Sequence, residues 1–141
     1  MTEVAALAGE DGLAVVATVR ADGTVQSSVV NVGVLAHPAA GAQALGFVTY
    51  GRAKLTNLRA RPQVTVTLRT GPRWITVEGT AWIAGPDDPQ DGVDAERLRQ
   101  LLREVFVAAG GTHDDWDGYD REMARQRRAA VLVTPARIYS N

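Results

Sequence analysis

An apolar stretch passes through a glycine into a helix-like segment in the run Thr49-Tyr50-Gly51-Arg52-Ala53-Lys54-Leu55-Thr56-Asn57-Leu58-Arg59. The chain contains fifteen basic residues, and Lys54 is the only lysine among them. Lysine carries a compact, strongly hydrated charge on a flexible stem, whereas arginine presents a planar fork. Arg52, Thr56 and Asn57 surround Lys54 at the start of the predicted helix, where free backbone amides favour anions. The run therefore predicts an anion site, and the alternative is a surface lysine on an ordinary helix.

Composition limits the class of protein. The 141 residues are enough for one domain, 1–141, with a buried core. The net charge of -1 gives no basic field for nucleic-acid binding, and the absence of cysteine excludes disulfides and thiol chemistry. The first ten residues lack the features of a signal peptide, and no apolar run approaches the ~20 residues of a membrane span. We expect a cytoplasmic protein that binds neither nucleic acid nor membrane.

Hydrophobic periodicity predicts a mainly β protein with peripheral helices. Strands are predicted over residues 13–19, 25–34, 45–50, 64–68, 73–84 and 129–134, followed by Ile138-Tyr139. Helices are predicted over residues 2–10 and 52–61, from Asp94 onward, and after Thr112. Asp22-Gly23 predicts a hairpin turn, and Gly79 predicts a bulge or bend. About six strands with one mid-chain helix pair indicate an antiparallel barrel.

Aromatic residues suit packing roles. Trp74 and Trp82 lie eight residues apart on one predicted strand, so we expect them to face the same side unless Gly79 forms a bulge. They would pack the core, a dimer interface or a cofactor groove. The stripe formed by Trp116, Tyr119 and Met123 is typical of a helix that packs on the core.

Groups for acid–base or metal chemistry are sparse. His37 precedes a proline in a loop, and His113 lies at a helix start, where a capping role is indicated. Carboxylates are concentrated in residues 87–122, on predicted loops and helix faces, which is typical of solvated surface. No nucleotide-binding loop or metal-binding motif occurs. This pattern favours reactive chemistry that is carried by a cofactor.

Several motifs resemble those of the flavin and deazaflavin oxidoreductases with the split β-barrel fold, the superfamily of pyridoxamine 5′-phosphate oxidase. The hairpin strand from Gln26 to Asn31 is similar to the first hairpin of that family, and residues 73–79 are similar to its next strand. Residues 52–62 resemble its phosphate-binding segment. Residues 113–119, with Met123 and the pair Arg127-Arg128, resemble the actinobacterial branch that uses a deazaflavin, coenzyme F420.

The resemblance implies a homodimer with a cofactor in each of two grooves between subunits. It implies that Arg52 and Lys54 contact the cofactor phosphate, with Asn57 alongside. The other residues that it assigns to the cofactor are Gln26, Ser27 and Ser28 at the edge of the ring, Thr49 and Tyr50 beside it, and Trp74 with one of Arg127 or Arg128 from the partner subunit or the groove wall. Arg59 and Arg61 would extend the basic patch, or pair with the acidic loops.

The implied activity is that of a reductase dependent on reduced coenzyme F420. Hydride would pass to a small conjugated organic acceptor, such as an enone, a quinone or a tetrapyrrole. No side chain is an obvious catalytic group, and Tyr50 or solvent would protonate the product. One alternative is an enzyme dependent on flavin mononucleotide (FMN), similar to pyridoxamine 5′-phosphate oxidase or a flavin reductase. Another is a non-catalytic carrier of the deazaflavin.

Overall fold

The computed structural model describes residues 1–141, and its seven antiparallel strands form one sheet, which is the largest part of the fold. The strands are β1 (Leu13–Val19), β2 (Val25–Asn31), β3 (Gly33–Ala36), β4 (Gln43–Thr49), β5 (Gln63–Thr70), β6 (Arg73–Ala84) and β7 (Ala129–Ser140). The helices are α1 (Thr2–Ala8), α2 (Arg52–Ala60), α3 (Ala95–Ala108) and α4 (Trp116–Arg125). The expected mainly β architecture with peripheral helices is confirmed.

The sheet curls into a barrel because its two edge strands are consecutive in the chain. The strand order is β2-β1-β5-β6-β7-β4-β3, so β2 and β3 lie at opposite edges. Only Val32 separates these two strands in sequence. One residue cannot span an open sheet of seven strands, so the edges must approach each other. The sheet therefore closes at Val32 without a hydrogen-bonded ladder there, which is the split of a split β-barrel.

The prediction of one strand over residues 25–34 is wrong, because the strand divides at Val32. The buried Val32 amide donates a hydrogen bond of 2.7 Å to the Gly12 carbonyl oxygen instead of joining a strand ladder. At the next residue, a Cβ on Gly33 would lie 2.1 Å from the Ala108 carbonyl carbon. Only glycine allows the last turn of α3 to approach the chain so closely. The sequence stays rich in valine on both sides of Val32, so it gives no sign of the division.

The last strand extends beyond the predicted residues 129–134 and includes Pro135. The register between β6 and β7 shifts at Gly79, where Glu78 pairs with Arg137 and Gly79 pairs with Pro135. The bulge predicted at Gly79 is thus confirmed, with Ala136 as the extra residue on β7. Proline lacks an amide proton, and a bulge is one of the places in a sheet where that loss is tolerated.

Two hydrophobic clusters form the core. The larger contains 19 buried residues inside the barrel, including Phe47 and Leu58. The smaller contains eight and lies between the sheet, α3 and α4; Tyr119 belongs to it, and Trp82, Trp116 and Met123 pack against it. The predicted core role of the α4 stripe is confirmed. Trp74 lies elsewhere, with its ring 6.2 Å from that of Tyr139.

Side-chain caps begin the two long helices. Asp94 accepts a hydrogen bond of 2.8 Å from the Arg97 amide at the start of α3. Asp115 accepts one of 3.0 Å from the Gly118 amide at the start of α4. His113 Nδ1 accepts a bond of 2.9 Å from the Asp115 amide, which confirms its predicted place in the cap. None of the four helices has the length and apolar character needed to cross a membrane.

We predict that Gly33→Ala lowers the free energy of unfolding by about 2 kcal/mol, because the added methyl group must displace the backbone at Ala108. Urea denaturation measures this change. Gly51→Ala is the matched control, since a Cβ there meets its nearest atom at 3.4 Å. We expect the control to cost less than about 1 kcal/mol. Equal stability of the Gly33 variant and the wild type would contradict the close packing of α3.

Candidate functional site

A groove of about 490 Å³ lies where β4 leads into α2. Residues 29–31 of β2 and residues 48–51 form two of its sides. The remaining wall residues are Lys54 from α2, Val105, Phe106 and Ala109 from α3 and its end, Tyr119 and Met123 from α4, and Arg128. The groove therefore combines apolar walls with two cationic side chains, Lys54 and Arg128.

Lys54 is buried in the groove wall without an ionic partner. Its residue surface is 6% exposed, and its Nζ lies 3.4 Å from Thr49 Oγ1 and 5.8 Å from the centroid of the Phe47 ring. No carboxylate forms an ion pair with it, and burial lowers the pKa of its ammonium group. A buried cation normally has an anion beside it. The arrangement is therefore one that a bound anion would complete.

The start of α2 presents further donors to the same place. The Gly51 amide donates a hydrogen bond of 3.1 Å to Thr49 Oγ1, and the first intrahelical bond runs from the Leu55 amide to the Gly51 carbonyl. No side chain caps this helix, and its first turn has no acidic residue. The amides of residues 52–54 are thus free, and the helix dipole adds positive potential there. Arg52 is exposed at this end and forms no ion pair.

Asn57 and Gln26 belong to an internal network rather than to the groove wall. Asn57 is 6% exposed, and its Nδ2 donates a hydrogen bond of 3.0 Å to Thr18 Oγ1. The Thr18 hydroxyl in turn lies 3.2 Å from Gln26 Oε1. This chain of bonds joins α2 to β1 and β2, so it fixes the helix that carries Lys54.

Three other residues assigned by resemblance lie outside the groove of one chain. Ser27 is exposed on the outer face of β2, and Ser28 has a buried Oγ without a hydrogen-bond partner. Trp74 is far along β6, beside Tyr139. Their cofactor contacts remain predictions, and those of Ser27 and Trp74 would require a second subunit.

The structure separates the two arginines that follow α4. Arg127 adopts a φ of 51° and pairs with Asp87, with 2.5 Å between Nη2 and Oδ1. Arg128 instead lines the groove, with its guanidinium 4.1 Å from the centroid of the Tyr50 ring. Its Nε lies 2.6 Å from Gln126 Oε1. Of the pair, Arg128 is therefore the residue that a ligand in the groove would meet.

The predicted basic patch is divided in the same way. Arg59 forms two hydrogen bonds with the Asp88 carboxylate, of 2.8 and 2.6 Å, and Arg61 Nε donates to the Val19 carbonyl at 2.9 Å. For Arg59, the alternative of pairing with an acidic loop is correct. Of this segment only Arg59 forms an ion pair, and Arg52 and Lys54 are the two cations at the start of α2 that have none.

The walls contributed by α3 were missed by reasoning from sequence. The apolar stripe of α3 indicated only core packing, yet Phe106 and Val105 also face the groove. The Phe106 and Tyr119 rings lie 4.9 Å apart, and the Tyr119 hydroxyl donates a hydrogen bond of 3.1 Å to the Leu102 carbonyl. Burial raises the pKa of Tyr119 to about 12, so this hydroxyl stays protonated.

The groove is equipped for binding rather than for acid–base catalysis. It contains no histidine and no carboxylate, and no cluster of three or more His, Cys, Asp or Glu residues could hold a metal ion. Its polar groups are cations, hydroxyls, the Asn31 amide and free backbone amides. Such a site suits an elongated molecule with an anionic group at Lys54 and a flat apolar portion against the walls.

The family described as pyridoxamine 5′-phosphate oxidase matches residues 1–141. No protein with a curated description matches the sequence significantly. Among solved structures, the conserved hypothetical protein Rv2991 from Mycobacterium tuberculosis shares 22% identity, with a TM-score of 0.71 over 99% of this chain and 82% of that one. A protein described as an F420 reductase shares 20% identity, with a TM-score of 0.65 over 95% and 94%.

A third similar structure is a pyridoxamine 5′-phosphate oxidase-related, FMN-binding protein from Nostoc punctiforme. It shares 13% identity, with a TM-score of 0.65 over 99% of this chain and 82% of that one. At these identities the structural likenesses establish the split-barrel fold.

We predict that Lys54→Met raises the free energy of unfolding of the ligand-free protein by about 1 kcal/mol, because it removes a buried unpaired charge. Since the pKa of Lys54 is lowered in the folded state, the folded protein binds fewer protons than the unfolded chain between that lowered pKa and 10.5. Wild-type stability therefore rises through this window, and the advantage of the methionine variant shrinks as pH approaches 10.5. Urea denaturation at several pH values measures the difference. A less stable methionine variant at neutral pH would contradict this account.

Proposed function

This chain belongs to the pyridoxamine 5′-phosphate oxidase family, and from that membership and the groove at Lys54 we propose that it is an oxidoreductase that uses coenzyme F420. It would transfer hydride from the reduced deazaflavin to a small conjugated organic acceptor. The observation that carries the proposal is the buried Lys54, which lacks an anionic partner at the start of α2. A cofactor phosphate would supply that partner.

The residues of the groove fit such a cofactor. Lys54, Arg52 and the free amides of α2 would hold the phosphate, and Thr49 and Tyr50 would lie along the ring. The apolar walls would exclude water, and the Asn57 network would hold α2 in place behind Lys54. The bound deazaflavin supplies the hydride, and the protein supplies orientation and a dry surface. Tyr50 or solvent would deliver the proton to the product.

The choice of a deazaflavin rests on the segment that resembles the deazaflavin-using branch. Tyr119, Met123 and Arg128 from this segment all line the groove. FMN is the competing cofactor, since it also carries a phosphate and since a similar structure is described as FMN-binding. Colour and fluorescence distinguish the two cofactors in a titration.

We further propose that two copies of the chain associate through the outer face of β1 and β2. This face exposes four large apolar side chains, Leu13 (48%), Val15 (45%), Val25 (59%) and Val29 (64%). Val15 and Val29 are direct cross-strand partners, so the side chains form one patch. Val29 also lines the groove, and a second copy would thereby complete its open side. Ser27 lies on the same face.

We predict that the purified protein quenches the fluorescence of coenzyme F420 in a saturable manner and oxidises the reduced cofactor when a suitable enone, quinone or tetrapyrrole is present. Lys54→Ala should weaken cofactor binding by about 1–3 kcal/mol, because the phosphate loses a charged partner. Arg121→Ala is the matched control: this exposed arginine forms no ion pair and does not line the groove, so affinity should be unchanged.

The possible results separate the alternatives. Tight binding of FMN without binding of the deazaflavin would overturn the choice of cofactor. Saturable binding of the deazaflavin without turnover on any acceptor would indicate a carrier. Equal affinities of the wild type and Lys54→Ala would remove Lys54 from the site.

We predict that the protein has twice the 15.0 kDa chain mass by light scattering, and that Val15→Lys produces monomers by placing a charge in the apolar patch. Val107→Lys is the control, because Val107 is similarly exposed, at 53% against 45% for Val15, but belongs to α3 and not to β1 or β2. A monomeric wild type, or a Val15→Lys protein that remains dimeric, would refute the proposed interface.

A further inference from the structure

A second cavity, of about 430 Å³, lies between the first half of α3, α4 and residues 85–95. We call it the α3–α4 cavity. Its walls are largely apolar and include Pro86, Pro89, Val93, Leu98, Leu102 and Met123. Neither the family assignment nor the proposed cofactor site accounts for this space.

The α3–α4 cavity adjoins the cofactor groove. Met123 and Arg128 line both spaces, so their side chains form the boundary between them. Only these two long, unbranched side chains therefore separate a molecule in the α3–α4 cavity from one in the groove. Hydride transfer needs direct contact between acceptor and donor, so the acceptor would reach the groove where these side chains turn aside.

The charged side chains that line the α3–α4 cavity all have partners within the chain, except for Arg128, which has no carboxylate beside it. The Asp120 carboxylate accepts hydrogen bonds from Arg99 Nη1 and Arg103 Nε, both at 2.9 Å. Asp94, the other acidic wall residue, caps α3. Both carboxylates are thus already occupied by donors.

Arg128 is the wall cation that has no carboxylate partner. Its Nε is held by Gln126, and the Tyr50 ring lies 4.1 Å from its guanidinium. Its two terminal nitrogens donate no hydrogen bond within the chain. A guanidinium that is fixed by one nitrogen and stacked on a ring presents the rest of its fork to a carboxylate at low entropic cost.

We propose that the α3–α4 cavity is the acceptor site and that it takes a flat, apolar monocarboxylate whose carboxylate binds Arg128. The role as acceptor site rests on the proposed function, but binding of such an anion does not require the cofactor. Neutral molecules of the same shape would leave Arg128 unpaired, and dianions would place a second charge among apolar walls.

The test uses naphthylacrylate as the probe and naphthylacrylamide as its neutral counterpart, titrated against the cofactor-free protein by calorimetry. We expect the carboxylate to bind about tenfold more tightly than the amide. Arg128→Gln should abolish that preference without changing the affinity for the amide. Ala124→Trp, at an exposed helix position on the wall, should fill the cavity and weaken both probes about tenfold or more.

Lys54→Ala separates this inference from the proposed function. It should retain the wild-type affinity for naphthylacrylate even though it loses affinity for coenzyme F420. Equal binding of the two probes, absence of binding, or insensitivity to either Arg128→Gln or Ala124→Trp would overturn the carboxylate site. Loss of naphthylacrylate binding in Lys54→Ala would place the probe in the cofactor groove and equally overturn it.

Discussion

The architecture depends on the close approach of Gly33 to the backbone at Ala108. A side chain at Gly33 would meet the Ala108 carbonyl carbon at 2.1 Å, so the end of α3 is held against the point where the barrel splits. This contact brings Val105, Phe106 and Ala109 to the wall of the groove that Lys54 also lines. Without it, β4 and α2 would present their polar residues to open solvent instead of to a groove.

The second governing feature is a buried charge that the protein does not itself neutralise. Lys54 contacts a hydroxyl group and an aromatic ring but no carboxylate. Many arginines of the molecule do form ion pairs with carboxylates, as Arg59 does with Asp88 and Arg127 with Asp87. All the other basic residues of the chain are arginines. The compact ammonium group of lysine fits a confined site that the larger, planar guanidinium group of arginine would not enter easily. We expect a buried ammonium group without an anionic partner to lower stability, as groups at functional sites often do.

Local sequence patterns predicted much of the fold and part of the site. The helix that follows Gly51, the Asp22-Gly23 hairpin and the bulge at Gly79 each depend on residues close in sequence, and the structure contains all three. The break at Val32 was not predictable, because it depends on Gly12 and Ala108, which are distant in the chain. The partner of Arg59 and the distinction between Arg127 and Arg128 were hidden for the same reason: each depends on which element packs beside it.

The single lysine allows the central claim to be measured directly. Isotope-labelled lysine introduces one side-chain resonance, from Lys54, whose titration can be followed by nuclear magnetic resonance. We predict a titration midpoint below 10.5 in the free protein, because burial disfavours the charge, and an increase when coenzyme F420 binds, because the phosphate stabilises the ammonium group. An ordinary midpoint that does not change when the cofactor binds would contradict it.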